Sequence, residues 1–359
     1  MSKPLRVGIV GGNAERGWAR DAHVPALAGL ADDFVIEAVS ARTQDGAEAA
    51  RNVFGARRAF GDSLAMVRDP DIDIVSVTVK VPEHRAVVLA ALAAGKHVYC
   101  EWPLGRDLAE AEEMARAVGP NNHVMIGLQA LSNPAVRQAA KLVSEGALGR
   151  LQVMRVFSST AGWGLEAPRF YAYLQDKNNG ATLEAIAGGH TLAALEAIAG
   201  SYVEVDARNT ILQEQMRITG SDDVVQRTCA DHMLILGRHA SGCVSTLEVV
   251  GGTPDRPFAL ELIGDKGWLK ISGGSPGGYQ VGALKLETSF PSAPPAAPVA
   301  PDLRGAAMNL SESYARLRDD IGAGTRTVPD FEVAVRLTRL LQAIDQASSE
   351  GRRQRLQTP

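Results

Sequence analysis

Leu5-Arg6-Val7-Gly8-Ile9-Val10-Gly11-Gly12-Asn13-Ala14-Glu15-Arg16-Gly17-Trp18-Ala19-Arg20-Asp21-Ala22-His23-Val24-Pro25-Ala26-Leu27 is the stretch whose reading decides the fold. Leu5, Val7, Ile9 and Val10 make a short apolar run rich in β-branched residues, which predicts a buried strand. Gly11-Gly12-Asn13 breaks it, and from about Trp18 to Ala31 the apolar residues Ala22, Ala26, Leu27 and Leu30 fall at helical spacing. Strand, glycine turn and helix is the opening of a dinucleotide-binding domain. Glycine lets the backbone approach a pyrophosphate, and the helix N-terminus supplies free N–H groups and a positive dipole end. The spacing departs from G-x-G-x-x-G. Gly11 fits the first position, Asn13 stands at the second, and Gly17 serves as the third only in a longer loop. Asparagine tolerates left-handed backbone angles, so the turn can still form. An ordinary glycine-rich turn between strand and helix is the competing reading.

Bulk composition narrows the class. A chain of 359 residues implies about two domains, and 45% hydrophobic with 22% charged residues is ordinary globular composition. The net charge of −4 leaves no basic footprint for nucleic acid. Cys100, Cys229 and Cys243 show no C-x-x-C spacing and read as reduced thiols, which points to the cytoplasm. No His/Cys/Asp cluster has metal-ligand spacing, so no metal is expected. The first strand starts too early for a signal peptide, and no apolar run reaches the ~18–20 residues of a membrane helix.

Strand-like and helix-like stretches alternate to about residue 127. Strands are expected at 34–39, 58–60, 72–79, 96–100 and 123–128. Pro82 opens a helix that Gly95 closes, and Asp107 with Glu110 forms a capping-box-like start to another. Repeated β-α units with short connections predict an α/β fold with a doubly wound parallel sheet over residues 1–127. The texture then changes. Longer strand-like segments with alternating polarity, such as Ala259, Glu261 and Ile263, predict an α+β domain over 128–359 with a large open, mostly antiparallel sheet. A helical stretch is expected at 182–198, a stiff proline-rich loop at 290–301, and a last amphipathic helix at 331–347 that packs back on the chain.

Several motifs go beyond pattern. Ala93-Ala94-Gly95-Lys96-His97-Val98-Tyr99-Cys100-Glu101-Trp102-Pro103-Leu104 resembles the A-G-K-H-V-x-x-E-K-P-L signature of the glucose–fructose oxidoreductase / inositol dehydrogenase / MocA family. Asn133-Pro134, Ser144-Glu145-Gly146-Ala147-Leu148-Gly149 and Ile263-Gly264-Asp265-Lys266-Gly267-Trp268-Leu269 resemble later passages of that family, in the same order. The wording is nearest to the fungal galactose-regulon inhibitor branch, whose members bind a dinucleotide and regulate transcription. Asn13-Ala14-Glu15-Arg16-Gly17-Trp18, Lys80-Val81-Pro82-Glu83-His84, Leu128-Gln129, Gly189-His190-Thr191, Cys229-Ala230-Asp231-His232 and Gly251-Gly252-Thr253-Pro254 carry that likeness.

The resemblance implies a dinucleotide site built from Gly11, Gly12, Asn13, Arg16, Gly17, Trp18, Ser40, Arg42, Thr43, Val79, Lys80, His84, Glu101, Trp102 and Gln129. The second strand ends Val39-Ser40-Ala41-Arg42-Thr43 with no acid. An acid there holds ribose hydroxyls, whereas Arg accommodates a 2′-phosphate, so NADP is expected, with NAD possible. Arg42 as a solvated surface residue is the alternative. The family's catalyst is the lysine of E-K-P with an Asp and a His. Here Trp102 stands at the lysine and Ile186 at the Asp, while His190 is retained. A tryptophan cannot move the proton that accompanies hydride transfer. His190 is therefore one catalytic candidate. Lys80 is the other, because the neighbouring fourth and fifth strands end at the same edge; contact with cofactor or solvent only is the bland reading. Trp163, Tyr171, Asp176 and Lys177 suit a sugar-like ligand, with ordinary packing as the alternative for the aromatics. The resemblance implies an oxidoreductase acting on a sugar or polyol-like alcohol or carbonyl, or else a non-catalytic dinucleotide- and ligand-binding regulator. It also implies a homodimer or homotetramer formed through the open sheet, with no nucleic acid or membrane partner.

Overall fold

The computed structural model describes residues 3–253 and 256–356; Pro254 of the last motif lies outside them. The chain packs as two units, one reaching to Leu128 and joined by Pro298–Val335, the other formed by Gln129–Ala297 and the C-terminal stretch from Arg336.

In the first unit, β1 (Leu5–Val10), β2 (Phe34–Ser40), β3 (Arg58–Phe60), β4 (Ile74–Val77), β5 (His97–Glu101) and β6 (Val124–Gly127) form one six-stranded sheet in the order β3-β2-β1-β4-β5-β6. Every pairing is parallel. β4 and β6 are wholly buried and β1 is buried from Val7 onward, as a parallel sheet covered by helices requires, while the edge strand β3 is half-buried. The chain leaves β1 in one direction toward β2 and β3 and later returns on the other side through β4, so the order reverses between β1 and β4. Crevices at such reversals, outside the carboxyl ends of the strands, are where doubly wound sheets bind ligands.

The covering helices are α1 (Val24–Ala28), α2 (Gln44–Phe54), α3 (Ser63–Val67), α4 (Val81–Ala93) and α5 (Leu108–Arg116). Their starts follow local chemistry. The Thr43 hydroxyl accepts from the Gly46 N–H at 3.1 Å, and the Asp62 carboxylate accepts from the Leu64 N–H at 2.8 Å. Asp107 caps α5 through the Glu110 N–H at 2.9 Å, while Glu110 reaches back to the Arg106 N–H at 2.9 Å, one residue earlier than a standard capping box. The helix expected from about Trp18 is not continuous. Ala19–His23 winds as a π-helical turn and α1 follows. Pro25 lacks the N–H that a regular helix would donate to the carbonyl four residues back, so the turn before it widens.

In the second unit, α6 (Pro134–Ser144) is capped by Asn133, whose Oδ1 accepts from the Ala135 N–H at 2.9 Å. The strands are β7 (Leu151–Thr160), β8 (Glu166–Ala167), β9 (Tyr202–Thr210), β10 (Gln215–Ile218), β11 (Val224–Gln226), β12 (His232–His239), β13 (Val244–Gly251), β14 (Phe258–Gly264), β15 (Gly267–Gly274), β16 (Ala283–Thr288) and β17 (Gln354–Arg355). The eight-stranded sheet runs β16-β15-β14-β7-β13-β12-β9-β17, and only β7 with β13 is parallel. β11, β10 and β8 make a smaller sheet. A second π-helical turn, Glu184–Gly188, leads into α7 (Gly189–Ala199). The end of this turn lies close on the sheet, because a Cβ on Gly188 would meet Met233 Sδ at 2.9 Å. The opposite face stays open, with Leu236 and Val244 each 52% exposed. Two further helices, α8 (Gly305–Ala323) and α9 (Phe331–Glu350), complete the chain. No helix among the described residues is long and apolar enough to cross a membrane.

Candidate functional site

The first unit carries a glycine turn at the carboxyl end of β1. Gly11 holds φ +105°, and a Cβ there would meet Thr78 Oγ1 and Val79 Cγ1 at 3.0 Å. Gly12 is tighter still, since its Cβ would sit 2.3 Å from Val39 Cγ2. The Gly11 and Gly12 N–H groups both donate to the Ser40 carbonyl, at 3.1 and 2.8 Å, so the turn is pinned to the end of β2. The Asn13 side chain replaces a glycine by a different device. Its Oδ1 accepts from the Glu15 and Arg16 N–H groups at 2.9 and 3.1 Å, closing the loop by itself. Gly17 holds φ +110° in open space, so its need for glycine is conformational only. Next to it the Trp18 indole Nε1 is buried with no hydrogen-bond partner. A backbone brought close by glycine, with an unpaired buried N–H beside it, fits a dinucleotide's pyrophosphate.

At the end of β2, the Ser40 hydroxyl meets the Ser63 hydroxyl at 2.9 Å and Thr43 is engaged as a helix cap. Arg42 projects into solvent with its side chain 82% exposed and meets Glu83 at 3.1 Å. Lys80 is the exposed N-cap residue of α4. His84 is 1% exposed. Its Nε2 faces the Val79 carbonyl and its Nδ1 the Pro103 carbonyl, each at 3.0 Å, so the ring braces the backbone at the ends of β4 and β5. Burial lowers its pKa. Trp102 is also buried, with a cis bond to Pro103. Glu101 Oε1 meets His23 Nε2 at 2.9 Å, and His23 Nδ1 meets the Tyr314 hydroxyl at 2.8 Å. Cys100 is a buried thiol whose pKa is pushed well up by desolvation.

The second unit carries the remaining candidates. His190 in α7 is 4% exposed, its Nδ1 is buried without a partner, and burial alone lowers its pKa to about 3. Its backbone carbonyl accepts from the Tyr279 hydroxyl at 2.6 Å, which anchors that turn of the helix. Trp163 is 4% exposed, and its indole N–H donates to the Leu174 carbonyl at 3.0 Å, so its polar end is spent inside the unit. Tyr171 is 40% exposed. Asp176 caps a short turn through the Asn178 N–H at 3.0 Å, and the Lys177 N–H donates to the Thr228 hydroxyl at 3.0 Å. Gln129 is 2% exposed in the turn Gln129–Ser132.

Three features of this unit and the first escaped sequence reasoning. Glu184 lies at the start of the second π-turn, its Oε1 accepting from the Ala230 N–H at 3.0 Å, its Oε2 unpartnered and its pKa raised by desolvation. Arg227 and Asp231 form a fully buried ion pair. The guanidinium also donates to Gln175 Oε1 and the Gly164 carbonyl at 2.7 Å each, while the carboxylate accepts from the Leu212 and Gln213 N–H groups. Each nitrogen of the guanidinium and each oxygen of the carboxylate has a protein partner, so the knot ties four segments together. The third is His23, whose signal was present: it is the one ionisable ring in the opening stretch. Among the described residues no group of three or more His, Cys, Asp or Glu could hold a metal ion.

Residues 5–128 match the family model of the oxidoreductase family with NAD-binding Rossmann fold, and residues 134–273 match the Gal80p C-terminal domain. The chain is 32% identical over 295 residues to the galactose/lactose metabolism regulatory protein GAL80 of Kluyveromyces lactis, covering 76% of this chain and 64% of that protein. It is also 32% identical over 307 residues to the dehydrogenase aclE of Aspergillus oryzae, covering 81% and 83% of the two chains. The levoglucosan dehydrogenase structure in complex with NADH and levoglucosan superposes with a TM-score of 0.83 at 20% identity, over 99% of this chain and all of that one (100%), which establishes a shared fold. With its opening turn, its sheet order and these matches, the chain belongs to the glucose–fructose oxidoreductase / inositol dehydrogenase / MocA family of oxidoreductases, close to the fungal Gal80 branch.

Proposed function

We propose that the protein is an NADP(H)-dependent oxidoreductase acting on an alcohol or carbonyl carbon of a sugar or polyol-like molecule, without the family's usual lysine. The observation that carries it is the turn after β1, where a Cβ at Gly12 would stand 2.3 Å from Val39 and a buried Trp18 N–H awaits an acceptor. Gly11, Gly12, Asn13 and Gly17 would hold the pyrophosphate, and Arg42, with no acid at the end of β2, would take a 2′-phosphate. The dinucleotide supplies the hydride acceptor. The protein supplies the proton path and the orientation.

His190 is neutral at pH 7, since its pKa is about 3. A neutral imidazole offers one donor and one acceptor, so it can hold a substrate hydroxyl and receive its proton as the hydride departs. In the free protein it is a weak base. A bound substrate hydroxyl would supply the partner that the buried Nδ1 lacks. Lys80 is the cation assigned to the substrate oxygen in place of the residue at 102. A sugar-like ligand is supported by the likeness to the levoglucosan dehydrogenase of Pseudarthrobacter phenanthrenivorans, 35% identical over 160 residues.

A regulator that binds dinucleotide and ligand without turnover is the second reading, and buried Trp102 at the lysine position favours it. The decisive experiment incubates the pure protein with NADP or NAD and a panel of sugars and polyols, beside NADPH binding by calorimetry. Reduction of NADP supports the enzyme; tight binding with no reduction across the panel moves the assignment to the regulator. Self-association through the open face of the eight-stranded sheet, where Leu234, Leu236 and Val244 are exposed, belongs to the same proposal. Sedimentation should show a dimer or tetramer, and a monomer at micromolar concentration would rule that part out.

A further inference from the structure

Three buried polar side chains and the half-buried Glu101, from four separate segments, meet inside the first unit. Ser76 lies in the middle of β4 with no exposure at all, and its hydroxyl is 2.6 Å from the Tyr314 hydroxyl. Tyr314 of α8 is equally buried, and its hydroxyl is 2.8 Å from His23 Nδ1. His23 Nε2, at the end of the π-turn, is 2.9 Å from Glu101 Oε1. Glu101 is the last residue of β5, with its side chain 13% exposed. A serine in the centre of a buried parallel strand is costly unless its hydroxyl is used, and here it is used only through a residue 238 positions away.

The chemistry sets a direction along this line. An ionised carboxylate only accepts, so His23 must carry its hydrogen on Nε2. In a neutral imidazole Nδ1 is then the acceptor, and the Tyr314 O–H donates to it. The Tyr314 oxygen in turn accepts from the Ser76 O–H. Burial raises the Tyr314 phenol's pKa, which keeps that hydrogen in place. The rings are held as firmly as the hydrogen bonds: Tyr99 stacks on Tyr314 with centroids 5.0 Å apart, and His23 stands edge-on to Tyr99 at 5.3 Å. Room for the carboxylate itself is reserved by a missing side chain. A Cβ on Gly127, the last residue of β6, would lie 2.9 Å from Glu101 Oε1.

We propose that Ser76, Tyr314 and His23 form a one-directional hydrogen-bond relay that positions the Glu101 carboxylate at the ligand-binding edge of the parallel sheet. The relay makes His23, Tyr314 and Ser76 positioning residues acting through Glu101. It rests on the reading of that edge as the dinucleotide site. With Trp102 unable to offer a charge, Glu101 is the charged group that this edge of β5 presents, and its placement is set from the protein interior.

Two measurements test this. In the cofactor-free protein at pH 8, nitrogen-15 NMR of the imidazoles, with His23 assigned by comparison with His23→Gln, should show the Nε2–H tautomer and an Nδ1 that accepts a hydrogen bond. In Tyr314→Phe the stacked ring remains but the Nδ1 signal should move to that of an unbonded nitrogen. In calorimetry, Tyr314→Phe should bind NADPH and NADH about five- to tenfold more weakly, and Ser76→Ala about two- to threefold, as loss of one buried hydrogen bond predicts. Ser76→Ala stands in if Tyr314→Phe does not fold. A His23 protonated on Nδ1 in the wild type overturns the relay, as do variants that bind both dinucleotides like the wild type. A wild type that binds neither dinucleotide instead removes the reading of the edge, and the tautomer then decides the relay alone.

Discussion

His23 and His190 are both buried imidazoles, one in each unit, and they have opposite surroundings. His23 has both ring nitrogens engaged, by Glu101 at 2.9 Å and Tyr314 at 2.8 Å. His190 has a buried Nδ1 with no partner. A buried polar group without a partner costs stability, so it persists where something outside the fold repays the deficit, such as a bound substrate. The pair separates a residue that holds a site together from one that waits for a ligand. The two should therefore fail in opposite ways when replaced.

The largest effect is expected at His190. His190→Phe should lower turnover by about 10²–10⁴-fold, the usual worth of a positioned proton acceptor, while the unfolding free energy changes by less than about 1 kcal/mol because no hydrogen bond of the ring is lost. Steady-state kinetics beside urea unfolding reads both quantities. A variant that unfolds easily yet turns over at the wild-type rate would make His190 a packing residue. His23→Leu should behave in reverse, losing about 3 kcal/mol of stability because it strands the Glu101 carboxylate and the Tyr314 hydroxyl. Urea midpoints within experimental error of wild type would break the contrast between the two rings.

Acid sharpens the same comparison. Burial lowers the pKa of His190 to about 3, and burial with the neighbouring His123 lowers that of His97 to about 4, both from an ordinary 6.5. The folded chain thus refuses protons that the unfolded chain accepts. Stability is fully present above about pH 6.5 and declines as pH falls, through about 4 for His97 and about 3 for His190, after which both states carry the proton. Unfolding free energy measured from pH 7 to pH 4 should fall less steeply in His190→Phe than in wild type. Equal slopes would show that the ring gains a solvated environment on protonation.

The division between legible and hidden parts of this molecule follows the range of the interactions. Alternating strands and helices, the Gly95 stop, the Pro82 start and the Asp107 cap could all be read from the sequence, because each depends on residues within one turn of each other. The π-turns at Ala19–His23 and Glu184–Gly188 could not, since a proline or a helix–sheet fit decides them and periodicity does not. Helix α8 escaped although Leu310, Tyr314, Leu317 and Ile321 fall at helical spacing and pack into the apolar core. Asn309, Ser311 and Ser313 are fully buried beside them, so polar residues interrupt the stripe. The same helix supplies the partner that gives His23 and Ser76 their meaning, 291 and 238 positions away. Asn13 shows the opposite case. Its departure from the glycine pattern was visible, and its compensation is local, through the Glu15 and Arg16 N–H groups.

Arg42 offers the smallest and most specific test. It lies at the first unit's edge with its side chain 82% exposed, and its ion pair with Glu83 is itself solvated. Such a pair contributes between nothing and about 1 kcal/mol, so Arg42→Ala should leave stability unchanged. If the guanidinium takes a 2′-phosphate, the variant should bind NADPH about tenfold more weakly, the worth of one charge-assisted contact, and NADH within about twofold of wild type. Raising salt should erode NADPH binding in the wild type and have little effect on the variant, because the attraction lost is an exposed one. An equal loss for both dinucleotides would instead assign Arg42 to the shape of the β2 turn, and an equal affinity throughout would leave the edge without a phosphate reader and return the choice to NAD.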